Sequence, residues 1–345
     1  MSRLVFVPAT AAADTAADPA RQTTMALARV DERLRAERTS LADAVVMTVY
    51  LKNASDFALM NGAYRQAWTG TPPTRTTVIT APLTPGALVE ISAIAVPAGA
   101  DRRVVHPSAW MASPNPYSYA IRTGDMLFLS GLIARNGVDN SSVTGDVATQ
   151  TRAVMENARA LLEAAGLSFT HVVSARAFLP DLNDFADFNR VYREYVGTER
   201  PARATVGAAL TTTSYNVEVT FVASAAPRQA IETAAQPNPN LSAAIKAGKS
   251  LFISGLLAEG ATIGSGPAAE TREIVGKLDA ILSKAGFSRR DLRDLLVYVT
   301  DEEAGRIAMA ECRTAFGPAI AASAVRVGLA AAAARVEIMS YAERE

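Results

Sequence analysis

One short motif occurs three times along the chain, and this repetition limits the possible folds more than any other feature. The middle copy reads PARATV and, after a polar spacer, NVEVTFVA; the first reads PTRTTV and LVEISAIA; the third reads AASAV and RVEIMSYA. Arg75 precedes Glu90 by 90 − 75 = 15 residues, and Arg203 precedes Glu218 by 218 − 203 = 15 residues. Such self-similarity predicts one small fold used three times.

The predicted elements around the motif follow the same order in each copy. Apolar residues at steps of three and four predict a helix with one buried stripe: Leu27, Val30, Leu34; Val154, Ala158, Leu161; Ile274, Leu278, Ile281. An apolar run after each helix predicts a strand: Val45–Leu51, Val172–Leu179, Leu295–Thr300. A second helix aligns the first two copies at Phe57, Asn61, Tyr64 and Phe185, Asn189, Tyr192.

The second and third copies also begin with a predicted hairpin, because a turn carrying Gly124 or Gly248 joins two strand-like runs. The first copy matches only the second of these strands. Each unit therefore reads β-β-α-β-α-β-β, with the first strand missing from unit 1. We expect an α+β protein of three tandem units, 1–100, 101–228 and 229–345, that form a single-chain pseudo-trimer with sheets inside and helices outside.

Composition excludes several classes of function. The 345 residues carry a formal net charge of zero, whereas a nucleic-acid-binding protein needs a basic face. Two histidines and one cysteine, none at ligand spacing, predict no metal site. The short apolar start is interpreted as a strand rather than a secretory signal, and no apolar run is long enough to span a membrane. Together with the single cysteine, these features predict a cytoplasmic protein without a membrane partner.

The repeated 15-residue spacing joins an Arg and a Glu, two residue types that can bind ligands and transfer protons. An Arg side chain offers a planar fork of donors that suits a carboxylate, and Arg75 and Arg203 each stand at the entry of a predicted strand. Glu90 and Glu218 lie within apolar strands, where a carboxylate must be paired or protonated. One interpretation is a structural Arg–Glu ion pair across neighbouring strands. The other is a ligand site, which residues in register with the unit favour: Tyr117, Ser130, Thr205.

The segments NPYSYAI, LFLSG, QTRAVMENARALLEAAG, DFADFN, PARATV and NVEV together resemble the Rid/YjgF family, the reactive intermediate deaminases. The resemblance covers nearly the whole chain as three fused copies, and it is closest in the second. It implies small α+β units that form trimers with ligand sites in the clefts between units. It also implies hydrolysis of small carboxylate-bearing enamines and imines, of the 2-aminoacrylate type, to 2-keto acids and ammonia, without a cofactor.

Carried over to this sequence, the resemblance assigns Arg203 to the substrate carboxylate and Glu218 to the attacking water. It assigns Ser130 and Tyr117 to the proton at carbon. Further substrate-binding residues are Thr205, Gly131, Arg75, Thr77, Glu90, Asn61 and Asn189. The third copy has Ala322 in place of the Arg. We therefore expect the Arg203/Glu218 cleft to bind carboxylates best, the Arg75/Glu90 cleft second, and the third cleft poorly.

Two alternatives remain open at this point. Chorismatases resemble Rid proteins in fold and hydrolyse the enolpyruvyl ether of chorismate with help from a Glu near the C-terminal end, a position that Glu337 matches. The second alternative is a non-catalytic protein that binds small molecules or serves as a scaffold. In each case the expected partner is a small carboxylate, and the expected state is a monomer or a dimer of pseudo-trimers.

Overall fold

The computed structural model describes residues 3–233 and 238–344. The first unit consists of β1 (Val5–Ala11), α1 (Pro19–Ala36), β2 (Ala44–Leu51), α2 (Phe57–Gln66), β3 (Thr74–Ile79) and β4 (Val89–Ala95). The second consists of β5 (Arg103–Val105), β6 (Ala120–Thr123), β7 (Met126–Leu129), α3 (Val147–Ala164), β8 (Val172–Leu179), α4 (Phe185–Val196), β9 (Ala202–Gly207), β10 (Ala209–Leu210) and β11 (Glu218–Ser224).

The third unit repeats the order of the second. It consists of β12 (Arg228–Ile231), β13 (Ala244–Ala247), β14 (Ser250–Leu257), α5 (Pro267–Ala285), β15 (Leu292–Val299), α6 (Glu302–Phe316), β16 (Ala321–Arg326), β17 (Gly328–Leu329) and β18 (Val336–Glu343). The predicted α+β class with three repeated units is confirmed. No described strand of the first unit corresponds to β6 or β13, as the sequence predicted.

Each unit builds one sheet around the same three-strand arrangement. The orders β4-β2-β3, β11-β8-β9 and β18-β15-β16 occupy equivalent places in the three sheets. The first pair in each trio is antiparallel and the second is parallel. The parallel pair follows from its connection, because a helix (α2, α4 or α6) crosses between the two strands.

The helices cover one face of each sheet. The predicted stripe of α1, including Val30 and Leu34, packs on Val49 and Ile91 of the first sheet in a closed apolar core. Side-chain oxygens of Asp18, at the start of α1, cap exposed backbone N–H groups there, as Asp146 and Asp301 do in α3 and α6. Among the described residues, no helix combines the length and apolar character needed to cross a membrane.

The opposite sheet faces pack against one another. One shared core joins Val78 of the first unit, Phe178 of the second and Tyr298 of the third. A second shared core joins Val46, Phe128 and Tyr341, again one from each unit. Helices therefore lie outside and sheets inside, because each helix has a single apolar stripe and the other sheet face needs a different partner.

Contacts between units close a cycle, and they include two elements that the sequence did not predict. Strand β10 of the second unit pairs with β3 of the first, and β17 of the third pairs with β9 of the second. The third and first units meet through β16 and β1, where the Ala9 N–H donates to Ser323 Oγ at 2.9 Å. The two-residue strands β10 and β17 are too short for a periodic pattern, which explains why sequence analysis missed them.

Candidate active site

Arg75 is fixed at the junction between the first and second units. It lies on β3, and its backbone N–H donates to Ser130 Oγ of the second unit at 2.9 Å. The Ser130 hydroxyl in turn donates to the Ser118 carbonyl at 2.7 Å. This hydrogen is therefore committed to the backbone, so Ser130 holds the two units in register. Ser130 therefore positions the two units, and its predicted handling of the proton at carbon stays a prediction.

The Arg75 side chain is held in one orientation. It is buried, and Nη1 donates to Asn61 Oδ1 on α2 at 2.9 Å. The guanidinium carbon lies 4.9 Å from the ring centroid of Tyr64 and 5.6 Å from that of Tyr117, distances at which a cation and an aromatic face attract each other. Burial lowers the pKa of Arg75, and the nearby Tyr64, Tyr117 and Glu218 oppose this change. Such a preorganised fork suits a small carboxylate.

Glu218 enters the same cleft from the second unit. It is buried at the start of β11, next to Gly131, where a Cβ would stand 1.8 Å from Glu218 Oε1. Only glycine leaves this carboxyl room at its present place. Burial raises the pKa of Glu218 to about 8, although the Arg75 charge and the Thr77 backbone amide lower it. The Thr77 hydroxyl is buried and lacks a hydrogen-bond partner in the described structure, so it is available to a ligand.

We call this junction the first cleft. Its members are Asn61, Arg75 and Thr77 of the first unit and Tyr117, Ser130, Gly131 and Glu218 of the second. Arg203 is absent from this group, which corrects the predicted pairing of Arg203 with Glu218. Strand β8 lies between β9, which carries Arg203, and β11, which carries Glu218. Two strand spacings separate residues by about 9–10 Å across a sheet.

Arg75 and Glu90 are also two strand spacings apart, because β2 lies between β3, which carries Arg75, and β4, which carries Glu90. The structural ion pair within one unit is therefore not formed. Arg75 and Arg203 instead exert their charge on the Glu of the next unit in the cycle, Glu218 and Glu337. The ranking of clefts by same-unit pairs therefore has to be replaced. The sequence named the Arg, Asn and Glu residues, but it paired each Arg with the Glu of its own unit instead of that of the next unit.

A second cleft repeats the first between the second and third units. The Arg203 N–H donates to Ser254 Oγ at 2.8 Å, and Nη2 donates to Asn189 Oδ1 at 2.6 Å. Burial raises the pKa of Glu337 to about 8, opposed by the Arg203 charge. A Cβ on Gly255 would stand 1.8 Å from Glu337 Oε1. Gly255 was not among the predicted site residues, although the repeated LFLSG and LFISG segments place it at the position of Gly131.

The second cleft differs from the first in lining and size. Leu241 takes the place of Tyr117, because Ser242 accepts from Ser254 as Ser118 accepts from Ser130. Thr205, Arg203 and Glu337 line a cavity of about 750 Å³ that also contacts Leu241. This volume exceeds what a substrate of a few heavy atoms requires. The second cleft therefore has the charged residues of the first and a ring beside its Arg, since the Arg203 guanidinium carbon lies 4.5 Å from the Tyr192 ring centroid, but it lacks the ring that Tyr117 supplies.

The third cleft, between the third and first units, has lost the arrangement. Pairing with β15 places Ala322 in register with Arg75 and Arg203, so no guanidinium is present. Ala9 stands at the position of Gly131 and Gly255, as pairing with β4 shows. Glu90 accepts hydrogen bonds from the Thr84 amide and hydroxyl instead of facing a cleft. The methyl group of Ala9 explains why the Glu90 side chain points away from the cleft. At the equivalent glycines, a Cβ would overlap the carboxyl of Glu218 or Glu337.

Within residues 3–233 and 238–344, no three His, Cys, Asp or Glu side chains are grouped as metal ligands would be. Cys312 is buried in the core of the third unit, at the helix position that Tyr64 and Tyr192 hold in the other units. The first cleft brings together a guanidinium, a carboxyl with raised pKa and three hydroxyl-bearing residues, Thr77, Tyr117 and Ser130.

Comparisons with known proteins agree with the repeated fold. A family model described as Endoribonuclease L-PSP matches residues 3–97, 108–225 and 231–344. A RutC family protein, PH0854 of Pyrococcus horikoshii, is 47% identical over 91 residues, 26% of this chain and 72% of that protein. The 2-iminobutanoate/2-iminopropanoate deaminase of Homo sapiens is 32% identical over 126 residues, 36% of this chain and 92% of that protein. A chorismatase crystal structure matches 99% of this chain and 98% of its own with a TM-score of 0.64; at 16% identity this shows the fold alone.

Proposed function

The chain belongs to the Endoribonuclease L-PSP family, as the resemblance to Rid/YjgF proteins predicted, and on this premise we propose that its first cleft is a deaminase site. The proposed reaction is cofactor-independent hydrolysis of small 2-imino acids, and of the enamines that convert to them, to 2-keto acids and ammonia. One observation carries the proposal: Arg75 and the Glu218 carboxyl, from different units, lie beside Gly131 in one cleft, since the Gly131 N–H donates to the Arg75 carbonyl at 3.1 Å and a Cβ on Gly131 would stand 1.8 Å from Glu218 Oε1.

Substrate binding follows from Arg75. Its guanidinium is charged at every physiological pH and grips a carboxylate with two parallel hydrogen bonds. Asn61 occupies Nη1, and the Tyr64 and Tyr117 rings fix the plane of the group, so the remaining donors face one direction. A 2-imino acid held by its carboxylate presents the neighbouring imine carbon to the cleft. Such positioning replaces a bimolecular encounter by a reaction within one complex.

Proton transfer follows from Glu218. With a pKa of about 8, its carboxyl is mostly neutral at pH 7 and donates its proton to the methylene carbon of an enamine. The product is an iminium ion, and Glu218 is left as a carboxylate. That carboxylate takes a proton from water while the water oxygen bonds to the iminium carbon. Glu218 then returns this proton to nitrogen. The C–N bond breaks and ammonia leaves while the hydroxyl proton passes to Glu218, which gives the 2-keto acid and restores the neutral carboxyl.

The second cleft supports a second candidate reaction. Glu337 is a neutral acid near Arg203 in a cavity wide enough for a cyclic substrate. A neutral carboxyl of this kind suits protonation of an enolpyruvyl ether, the chemistry of chorismatases. We favour deamination for the chain because the first cleft has the complete residue set. Ribonucleolysis, which the family's description names, receives no support from a chain of zero net charge.

A coupled assay tests the proposal. A dehydratase generates 2-aminoacrylate, and 2-keto acid release is followed with the parent chain, with Glu218→Gln and with Glu90→Gln. We expect the parent and Glu90→Gln to accelerate release equally and Glu218→Gln to lose most of the acceleration, since Glu90 faces no cleft. A chorismate arm tests the second candidate. A parent chain that binds pyruvate but accelerates neither reaction would make the chain a binding protein.

A further inference from the structure

A cavity lies where the three units meet, apart from the clefts. It has a volume of about 100 Å³, and residues of all three units line it, among them Val46, Arg176 and Asp294. A smaller cavity of about 40 Å³ shares these three residues and adds Thr48 and Ser92. A buried water needs about 10–15 Å³ of such space, so the larger cavity holds several waters or a ligand of a few heavy atoms.

The two charged residues in this cavity break the repetition of the chain. The pairing with β3, β9 and β16 places Asp294 in register with Val46 and Ser174. The same pairing places Arg176 in register with Thr48 and Leu296. Three identical subunits would bring three like charges together at each position, which burial makes costly. Because the three units are fused in one chain, their sequences can differ, so the cavity contains a single Arg from the second unit and a single Asp from the third.

These charges face each other without meeting. The Arg176 charge lowers the pKa of Asp294, but burial dominates and raises it to about 7. No nitrogen of Arg176 lies within 4.0 Å of an Asp294 oxygen. The contact of Arg176 with Thr48 Oγ1 is long, at 3.5 Å. Both side chains keep accessible surface although protein surrounds them, and the cavity provides that surface.

Another polar group in the cavity wall is unsatisfied. Ser340 is 5% exposed, and its hydroxyl has no hydrogen-bond partner among the described residues. Part of the wall is apolar and aromatic, since Phe6 and Phe252 pack on Tyr341 with ring centroids 5.2 and 5.1 Å away. A guanidinium and a carboxyl whose accessible surface faces the cavity, together with a buried hydroxyl without a partner, indicate a site for a polar ligand.

We propose that this central cavity binds a small zwitterion, an α-amino acid with a short aliphatic side chain. The ligand carboxylate pairs with Arg176, its ammonium group pairs with Asp294, and its side chain contacts the aromatic wall. A zwitterion leaves the total charge of the cavity unchanged, whereas a simple anion or cation would leave one protein charge without a partner. The proposal does not rest on the deaminase reaction of the clefts.

Titration calorimetry tests the site with L-alanine and 2-aminobutyrate, and with propionate and propylamine as ligands that lack one charged group. We expect the amino acids to bind, and Arg176→Met and Asp294→Asn each to weaken binding by roughly tenfold or more, about 1.4 kcal/mol. The variant Arg75→Ala/Arg203→Ala, which removes both cleft cations, should bind the amino acids as the parent does. This control excludes binding in the clefts.

A variant with both charges removed, Arg176→Met/Asp294→Leu, separates binding from folding. Replacing two buried charges by apolar residues of similar size is often neutral for stability. We expect this variant to fold and to retain imine hydrolysis in the clefts while losing amino-acid binding. Equal affinity for propionate and alanine, no binding at millimolar ligand, or binding that survives in this variant would each overturn the proposal.

Discussion

Glu218 of the second unit shares a cleft with Arg75 of the first, and the Arg75 charge is the largest influence that opposes the burial-driven rise in the Glu218 pKa. The pair spans a junction between units, so neither unit has a complete site alone. Ser130 strengthens the junction, because its hydroxyl bonds the Arg75 backbone on one side and the Ser118 carbonyl on the other. Activity of the first cleft therefore depends on how the first two units pack.

Removal of the Arg75 side chain should abolish most imine hydrolysis. Arg75→Ala takes away the carboxylate grip and leaves Glu218 without its nearest opposing charge. Arg75 and the substrate carboxylate form a buried charge pair, and loss of one partner of such a pair costs about 2–5 kcal/mol, a fall of about 30- to 5,000-fold in kcat/KM. Arg75→Lys should also be weak, because an ammonium lacks the planar fork.

Arg203→Ala is the matched control for this prediction. It removes the equivalent side chain from the second cleft, and we expect it to leave most of the 2-aminoacrylate hydrolysis intact. Steady-state kinetics of the purified variants measures both effects. If Arg203→Ala were inactive and Arg75→Ala unimpaired, deamination would belong to the second cleft.

Glu218→Gln should separate binding from turnover. The amide keeps the size of the side chain but can neither give a proton to carbon nor take one from water. Loss of a general acid–base group typically lowers the rate by about 10²–10⁴-fold, and we expect that fall in kcat. Pyruvate affinity, measured by calorimetry, should stay near that of the parent because Arg75 is intact. A normal kcat would show that another group moves the proton.

Sequence alone predicted the fold because local and repeated signals agree. The stripe on α1, the strand patterns and the Arg–Glu spacing all recur, so each copy supports the interpretation of the others. It also singled out the Arg, Asn and Glu residues that line the clefts. The pairing of Arg203 with Glu218 failed because chain proximity is a poor guide across a sheet: β8 separates their strands, and the true partner comes from another unit.

The central charges could not be predicted for a related reason. Arg176 and Asp294 are 294 − 176 = 118 residues apart and lie in strands of different units. Neither belongs to the repeated motif, and each is a single charge in an apolar strand. Only the packing of the three sheets brings them to one cavity. Gly131 and Gly255, in contrast, could have been predicted as a matched pair, because the same Ser-Gly dipeptide occurs in the second and third units.

Gly131→Ala should inactivate the first cleft without unfolding the chain. The new methyl group would overlap Glu218 Oε1, which is the end of a flexible side chain and can turn away. The third cleft shows this outcome, because Ala9 stands at the equivalent position and Glu90 bonds to Thr84. We expect imine hydrolysis to fall about as far as in Glu218→Gln, about 10²-fold or more.

Gly255→Ala is the control for this substitution, since it affects Glu337 of the second cleft alone. It should leave the first cleft active. Thermal unfolding of both variants, followed by circular dichroism, checks that the fold is retained. Full activity of Gly131→Ala would mean that Glu218 works from another position or not at all.

The stability of the chain should fall as pH rises from about 5 to 8. Glu218 and Glu337 have folded-state pKa values of about 8, raised from 4.5 by burial, so between these values the unfolded state loses protons that the folded state keeps. The stability that each protonated carboxyl contributes is fully present below pH 4.5 and is lost as pH rises through 8. Each contributes a slope of at most about 1.4 kcal/mol per pH unit. Glu218→Gln/Glu337→Gln should flatten the curve of unfolding free energy against pH, measured by urea denaturation, whereas Glu90→Gln should not. An equally steep curve for the double variant would show that these carboxyls are already ionised in the folded chain.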